Sequence, residues 1–408
     1  MRLLFIHQSL PSQFQHLLIH YGQRNDCEVV GLVDIKQYRA NFKRPVPGVR
    51  LVSYAMPTRT VTQISDVAYA TEEAIRRGHA VLTALLTMKK SGFVPDVVYA
   101  HPGWGETLFL KDAFPNTRLI HLCEFYFRIS GQDFGFDPEF PPTADDVIRL
   151  RTRNLHHLMA MDQADLGIAP TNWQRTCFPS PYQPKIEVAH EGIDTDRIKP
   201  SDKSSIDLTR ANIRLSRLDE IITFASRSLE PYRGFHTFMR ALPRLLRERP
   251  SAHVLIIGGE EATYGRQSEQ CSFKEKYLSE MASEIDLRRV HFLGRIPHAS
   301  LIRIFHISTA HIYLTYPFIL SWSMLEAMAA GCVVIGSRTA PVEEVVTHGL
   351  NGLLVDFFSP DQITDAVVRA CEAPDRLNTL RHNARQTVVN HFDVSRVCLP
   401  RQIALIET

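Results

Sequence analysis

Seven cysteines lie scattered over 408 residues without C-x-x-C spacing, so neither a zinc motif nor a disulfide framework is written into the chain. An odd count without pairs points to free thiols in a reducing compartment. Charge of one sign is also lacking. The 46 Lys and Arg nearly balance 44 Asp and Glu, for a net charge of +2, and nothing global demands nucleic acid or an acidic partner. The basic pairs Lys43-Arg44, Arg76-Arg77 and Lys89-Lys90 read as solvated surface rather than a membrane patch. No apolar run approaches bilayer length, and the opening Met1–His7 is too short for a signal peptide, so a cytoplasmic protein is expected. No tandem repeat of solenoid period occurs. G-x-G-x-x-G is absent after every strand, and there is no P-loop lysine motif and no G-x-S-x-G elbow. These absences remove the dinucleotide fingerprint, kinase and ATPase chemistry, and serine hydrolysis.

What the chain does contain is 44% hydrophobic and 22% charged residues, the balance of a globular protein too long for one ordinary core. Short apolar strands alternate with helical stretches throughout, which predicts a parallel α/β architecture. In the first half, strands are expected at 2–7, 28–33, 97–100, 119–123 and 166–169, with helices at 70–90 and 144–161. The aromatic, Pro- and Gly-rich segment 131–143 reads as an extended loop, of a kind usually functional or packed over a cleft. Residues 199–219 carry mixed charge without periodicity and look like a linker. A second series follows, with strands at 221–227, 253–258, 290–293, 311–314, 333–336 and 353–355 and helices such as 234–247 and 301–305. The expected division is residues 1–200, a linker at 201–219, and residues 220–392, with 393–408 crossing back to the first domain.

In open parallel sheets, ligands gather beyond the carboxyl ends of the strands. That rule selects Ser9, Gln13, His101, Glu124 and Thr171 in the first domain. In the second it selects Arg227, Gly258-Gly259, Gly294-Arg295 and the loop 316–323. The stretch 314–336 reads as strand, turn, amphipathic helix, glycine stop and strand, a unit that aims backbone N–H groups at an anion such as a nucleotide diphosphate. Glu326 lies among apolar neighbours in that helix, and either a partner within the core or a ribose diol would satisfy it. Arg227 and Arg233 stand six apart around a Pro-containing turn closed by Gly234. They are either a solvated surface pair or a bidentate diphosphate clamp that needs no metal. The double glycine Gly258-Gly259 allows close backbone approach to a ligand. His101 and Glu124 follow adjacent strands and are either structural or engaged in catalysis or substrate binding.

Taken together, Arg227…Arg233-Gly234, Leu255–Gly259, Phe292-Leu-Gly-Arg295, Leu325–Gly331, His348–Asp356 and the turn Ala189–Asp194 resemble the family 4 glycosyltransferases in content and order. The resemblance covers essentially the whole chain. It implies a GT-B fold of two Rossmann-like domains facing across a cleft, and retaining transfer from a nucleotide-diphosphate sugar without cofactor or essential metal. It implies that Glu326 holds the donor ribose and that Arg227 and Arg233 neutralise the leaving diphosphate. The backbone of Ile319, Leu320 and Ser321 would add N–H donors, and Gly294 and Arg295 would flank the base. Ser9, Gln13 and Glu191 fall on the acceptor side, with His101 and Glu124 as candidate catalytic groups. The implied partners are a nucleotide sugar and a glycan, lipid-linked or small hydroxyl acceptor, as in polysaccharide biosynthesis, with peripheral contact at the inner membrane face and no nucleic acid. Several positions depart from the family pattern. Phe318 stands where the first of two glutamates is usual, Arg233 replaces a lysine, and Gln8–Gln13 replaces a glycine-rich loop. Glu124 takes a position where many members present a histidine, with His121 three residues before it. The glycine pair usual near Thr339–Pro341 is missing. A nucleotide-sugar 2-epimerase and a non-catalytic nucleotide or glycan sensor are the competing readings.

Overall fold

A computed structural model describes residues 1–41, 45–58, 64–209, 211–263, 271–372 and 374–408, with the backbone alone at 374–376. The chain divides into two compact units, Met1–Gly192 with Val394–Thr408, and Ile193–Asp393.

The first unit is built on seven strands: β1 Arg2–Ile6, β2 Glu28–Asp34, β3 Val49–Tyr54, β4 Val97–Ala100, β5 Arg118–Leu122, β6 Leu166–Ala169 and β7 Ile186–Val188. They form one sheet in the order β3-β2-β1-β4-β5-β6-β7, every pairing parallel. Because strand side chains alternate, Leu3 and Phe5 pack into one face beside Phe14 and Tyr21, while Leu4 and Ile6 pack into the other beside Val81 and Leu85. Both faces are buried, as parallel sheets require. The helix read as continuous over 144–161 is instead two, Ala144–Arg153 and Leu155–Gln163. Asn154 at the break sends Nδ2 to the Phe127 carbonyl (2.7 Å) and accepts from the Phe127 N–H (3.3 Å), tying the segment just before the aromatic loop to the helix pair. In that loop Gln132, Asp133 and Asp137 are buried.

The tail also belongs to this unit. Its helix Leu399–Glu407 buries Ile406, whose carbonyl accepts from Arg118 (2.9 Å), and Gln402 donates to the His190 carbonyl (2.7 Å).

The second unit opens with β8 Ser205–Leu208 and β9 Ile213–Ser216, an antiparallel hairpin. The expected linker is therefore an element of this unit. Ile206, Leu208 and Ile213 turn its apolar side onto the core, an alternation that the surrounding charges obscured. The main sheet comprises β10 Ile221–Ser228, β11 His253–Gly259, β12 Val290–Gly294, β13 Ala310–Tyr313, β14 Val334–Ser337 and β15 Leu353–Val355. Its order is β12-β11-β10-β13-β14-β15, again all parallel. Both units thus place a topological switch point between their first and fourth strands, β1/β4 and β10/β13. The crevice beyond those strand ends is where doubly wound sheets hold ligands.

Candidate functional site

In the second unit, the switch point brings the two expected arginines together. Arg227 ends β10 and Arg233 closes the following turn. Both line one small cavity of about 140 Å³ with Ser226, Leu314, Ser321 and Ser323. Gly234 makes the turn possible. Its φ is +67°, and a Cβ there would lie 2.4 Å from Leu314 Cβ. The two cations differ in kind. Arg233 is 7% exposed and fixed, donating to Thr315 Oγ1 (2.8 Å) and the Ile319 carbonyl (3.3 Å). Arg227 is exposed and has no hydrogen bond or ion pair among the described residues.

Phe318 does not line this cavity. It is buried edge-on against Tyr232, with ring centroids 5.6 Å apart, and lies 6.0 Å from the Arg233 guanidinium carbon. Tyr316 packs on the same Tyr232 at 4.6 Å and on Phe357 at 5.3 Å. Where the family pattern usually has a glutamate, an aromatic cluster supports the loop that Arg233 grips. The helix Trp322–Ala329 follows, capped by Ser321, whose hydroxyl accepts from the Ser323 N–H. The Ser321 amide, read as an anion donor, is already given to Tyr313 Oη at 2.8 Å. The amides of Ile319 and Leu320 have no acceptor among the described residues.

Glu326 projects from that helix with its side chain 12% exposed, and its Oε1 meets His298 Nε2 at 2.7 Å. Its partner in this structure is a histidine that opens the helix His298–Ile307. The hydrogen bond that His298 donates to Glu326 raises the His298 pKa above the usual imidazole value, against the opposing effect of burial.

The double glycine serves the protein itself. At Gly259 a Cβ would lie 2.6 Å from a Glu261 carboxylate oxygen and 2.8 Å from Arg295 Nε. At Gly258 it would lie 2.8 Å from Leu229 Cδ2 and 3.0 Å from the Ser226 carbonyl. The two glycines let Leu229, the Ser226 carbonyl, Glu261 and Arg295 come close to the backbone. Arg295, expected beside a base, pairs with Glu261. Gly294 is left-handed (φ +64°) and open, with nothing within 4 Å of a Cβ.

In the first unit, three strands end in a histidine used the same way. His7 after β1, His101 after β4 and His190 after β7 each accept on Nδ1 the amide two residues on: Ser9 (2.9 Å), Gly103 (3.0 Å) and Gly192 (2.9 Å). An imidazole that accepts on Nδ1 keeps its proton on Nε2. His101 accordingly donates from Nε2 to Glu124 Oε2 at 3.0 Å, and Gln13 donates to Glu124 Oε1 at 3.0 Å. Gln174, held by its own capping contacts to Thr171, donates to the Glu124 carbonyl (2.7 Å). Burial works against the Glu124 charge, but the bonds from His101 and Gln13 outweigh it, and its pKa lies below the usual carboxylate value. Neither ring nitrogen of His101 is left over for proton abstraction.

Ser9 and Gln13 therefore join His101 and Glu124 at the β1/β4 switch point. Glu191 lies three strands from β4, buried 3.7 Å from His190, whose pKa burial lowers to about 4. His121 is wholly buried and sits near pKa 3 for the same reason. Sequence reasoning missed His7, although the strand-end rule would have selected it. It also missed Trp104, which lies inside the turn around His101, and His298, which only the fold brings to Glu326. None of the seven cysteines forms a disulfide. Among the described residues, no helix is long and apolar enough to cross a membrane.

Known proteins share both halves of this arrangement. Residues 25–198 match the model of the Glycosyl transferase family 4 group, and residues 209–387 that of Glycosyl transferases group 1. A D-inositol 3-phosphate glycosyltransferase of Corynebacterium jeikeium is 27% identical over 222 residues, 53% of this chain and 51% of that protein. A GDP-mannose-dependent alpha-(1-6)-phosphatidylinositol monomannoside mannosyltransferase of Mycobacterium tuberculosis is 26% identical over 292 residues, 67% of each chain. The match spans about half the length of the first of these relatives. Among solved structures, sucrose-phosphate synthase of Thermosynechococcus elongatus superposes with TM-score 0.72 at 16% identity, over 100% of this chain and 98% of that one. Anabaena HepE in complex with UDP-glucose superposes with TM-score 0.68 at 18% identity over the full length of both. These likenesses identify the GT-B fold. With one family model on each half and two Rossmann-like sheets beneath them, the chain belongs to the family 4 glycosyltransferases.

Proposed function

We propose that this protein is a retaining glycosyltransferase that moves a sugar from a nucleotide diphosphate to a hydroxyl acceptor. The observation that carries the reading is the cavity at the β10/β13 switch point, where Arg227 and Arg233 face one another's space beside Ser321 and Ser323. A cavity of this kind suits a diphosphate. Charge builds on the leaving phosphate as the glycosidic C–O bond breaks, and Arg227 and the fixed Arg233, together with the amides of Ile319 and Leu320, stabilise it. Glu326 takes the donor ribose through the oxygen not bonded to His298. Two guanidiniums do the work that a divalent ion does elsewhere, so transfer is expected to survive EDTA.

The acceptor belongs to the first unit in this reading. Glu124, ionised and fixed between His101 and Gln13, orients the acceptor hydroxyl, and the departing phosphate takes its proton on the same face of the sugar. No protein nucleophile is needed, which fits retention. The relatives' printed names point to inositol-phosphate and phosphatidylinositol-linked acceptors and to GDP-mannose as a donor. The HepE complex points to UDP-glucose.

The test is Arg227→Ala, assayed with UDP-, GDP- and ADP-sugars in EDTA. Removing one such cation lowers kcat by about 10²–10³. Turnover within a factor of two of the unmodified protein would refute the reading, as would activity that EDTA abolishes and a divalent ion restores.

A further inference from the structure

The turn after β4 holds in water an indole that the fold does not need there. Trp104 remains 37% exposed, although its ring stacks on His101 with centroids 4.5 Å apart and planes 24° apart. His7 stands edge-on to the same indole at 5.3 Å. The support under the ring is rigid. His101 is 4% exposed, its Nδ1 bound to the Gly103 amide and its Nε2 to Glu124. His156 donates from Nε2 to the Gly103 carbonyl at 3.0 Å. Gly105 has φ +99°, and a Cβ on it would lie 2.3 Å from the Ala74 carbonyl oxygen, so the turn rests directly on the helix Tyr69–Lys90. A ring fixed this firmly before binding loses little freedom when a ligand covers it.

Glu124 borders the same imidazole. Trp104 covers the His101 ring face while Glu124 takes its Nε2 edge, so an apolar plate and an anion lie one imidazole apart. The Glu124 side chain is 28% exposed, and each of its oxygens accepts one hydrogen bond with lone-pair capacity for another. A flat apolar surface beside a fixed carboxylate matches a six-membered polyol ring, whose C–H face is apolar and whose edge is lined with hydroxyl donors.

The geometry points to Trp104 as the platform for a pyranose or cyclitol ring at the reacting end of the acceptor, with Glu124 accepting hydrogen bonds from its hydroxyls. This deepens the function proposed above and rests on its assignment of the acceptor to the first unit. It names the acceptor's chemistry, a six-membered polyol, and excludes an acceptor hydroxyl on an extended peptide.

The chain has three tryptophans, so a Trp173→Phe/Trp322→Phe protein reports on Trp104 alone. Methyl α-D-glucopyranoside, methyl α-D-mannopyranoside and myo-inositol are titrated to about 100 mM, well above the ~1 mM range of weak single-ring binding. A saturable change in indole fluorescence is expected with at least one, and whichever saturates separates pyranose from cyclitol. Glu124→Gln, which leaves the fluorophore in place, should weaken that binding at least tenfold. In saturation-transfer NMR the ring signal should vanish in Trp104→Ala and persist, weakened, in Trp104→Tyr. No saturable change with any ring, or an unchanged signal in Trp104→Ala, overturns the platform. UDP, GDP and ADP thermal shifts are read in parallel. Rings that bind while no nucleotide does would sink the donor reading and leave the platform standing; nucleotides that bind while no ring does would do the reverse.

Discussion

Glu124 and His101 show how one hydrogen bond assigns a chemical role. Because the Gly103 amide occupies His101 Nδ1, the imidazole can only donate toward Glu124, so it positions the carboxylate and takes no proton itself. Glu124→Gln keeps the shape of the side chain and removes its charge. It is expected to lower kcat/KM at least tenfold, through loss of a charged hydrogen-bond acceptor for the acceptor hydroxyl. The acidic limb of the pH profile should also disappear, a limb that lies below the ordinary carboxylate pKa because the folded value is depressed. Unchanged kcat/KM across pH would remove Glu124 from the chemistry. Arg227, His101 and Glu124 were selected by one rule, strand ends in a parallel sheet, and Arg233 by its spacing from Arg227 around a Pro-containing turn. Their partners were not. Thr315, Gln174 and His298 lie 82, 50 and 28 positions from the groups they hold, and separations of that size leave no local pattern.

Among the elements, strands made of short apolar runs were the most readable, the edge strand β15 included. β4, β6 and β15 fall on Val97–Ala100, Leu166–Ala169 and Leu353–Val355, as their short apolar runs required. The edge strands β3 and β7 escaped because an edge needs only half its residues to be apolar, and β7 has just three residues. The helix Trp322–Ala329 was anticipated, but its contact with the helix His298–Ile307 through Glu326 and His298 was not, and that contact makes stability sensitive to pH. The folded pKa of His298 is raised above its unfolded value of about 6.5. Its ion pair with Glu326 therefore contributes stability that is fully present below about pH 6.5 and is lost as pH rises through the higher folded value. Comparing Tm of the unmodified protein with His298→Gln should show a gap that is larger at pH 6 than at pH 9. The histidine is half exposed, so the gap will be small. A gap that widens with pH would contradict the pairing.

For the molecule as a whole, the repeated strand order β3-β2-β1-β4 and β12-β11-β10-β13 supplies two switch points on one chain, one carrying the arginines and the other the carboxylate and indole. The first unit, however, is not made from the first half of the sequence alone. Ile406, 1% exposed in the closing helix, packs into the same cluster as Leu3, Phe5 and Tyr21. Ile406→Ala should destabilise that unit by about 2–5 kcal/mol, the usual range for a buried Ile truncated to Ala. Chemical denaturation followed by Trp104 emission in the Trp173→Phe/Trp322→Phe background would measure it, and a loss under about 0.5 kcal/mol would show that the tail is ornamental.

The same discontinuity orders events on the ribosome. Residues 193–393 form one uninterrupted stretch, whereas the amino-terminal sheet is covered by residues 394–408, which are translated only after the whole second unit. The unit begun first is therefore completed second, and until residues 394–408 are made it carries an uncovered apolar patch where the helix Leu399–Glu407 docks.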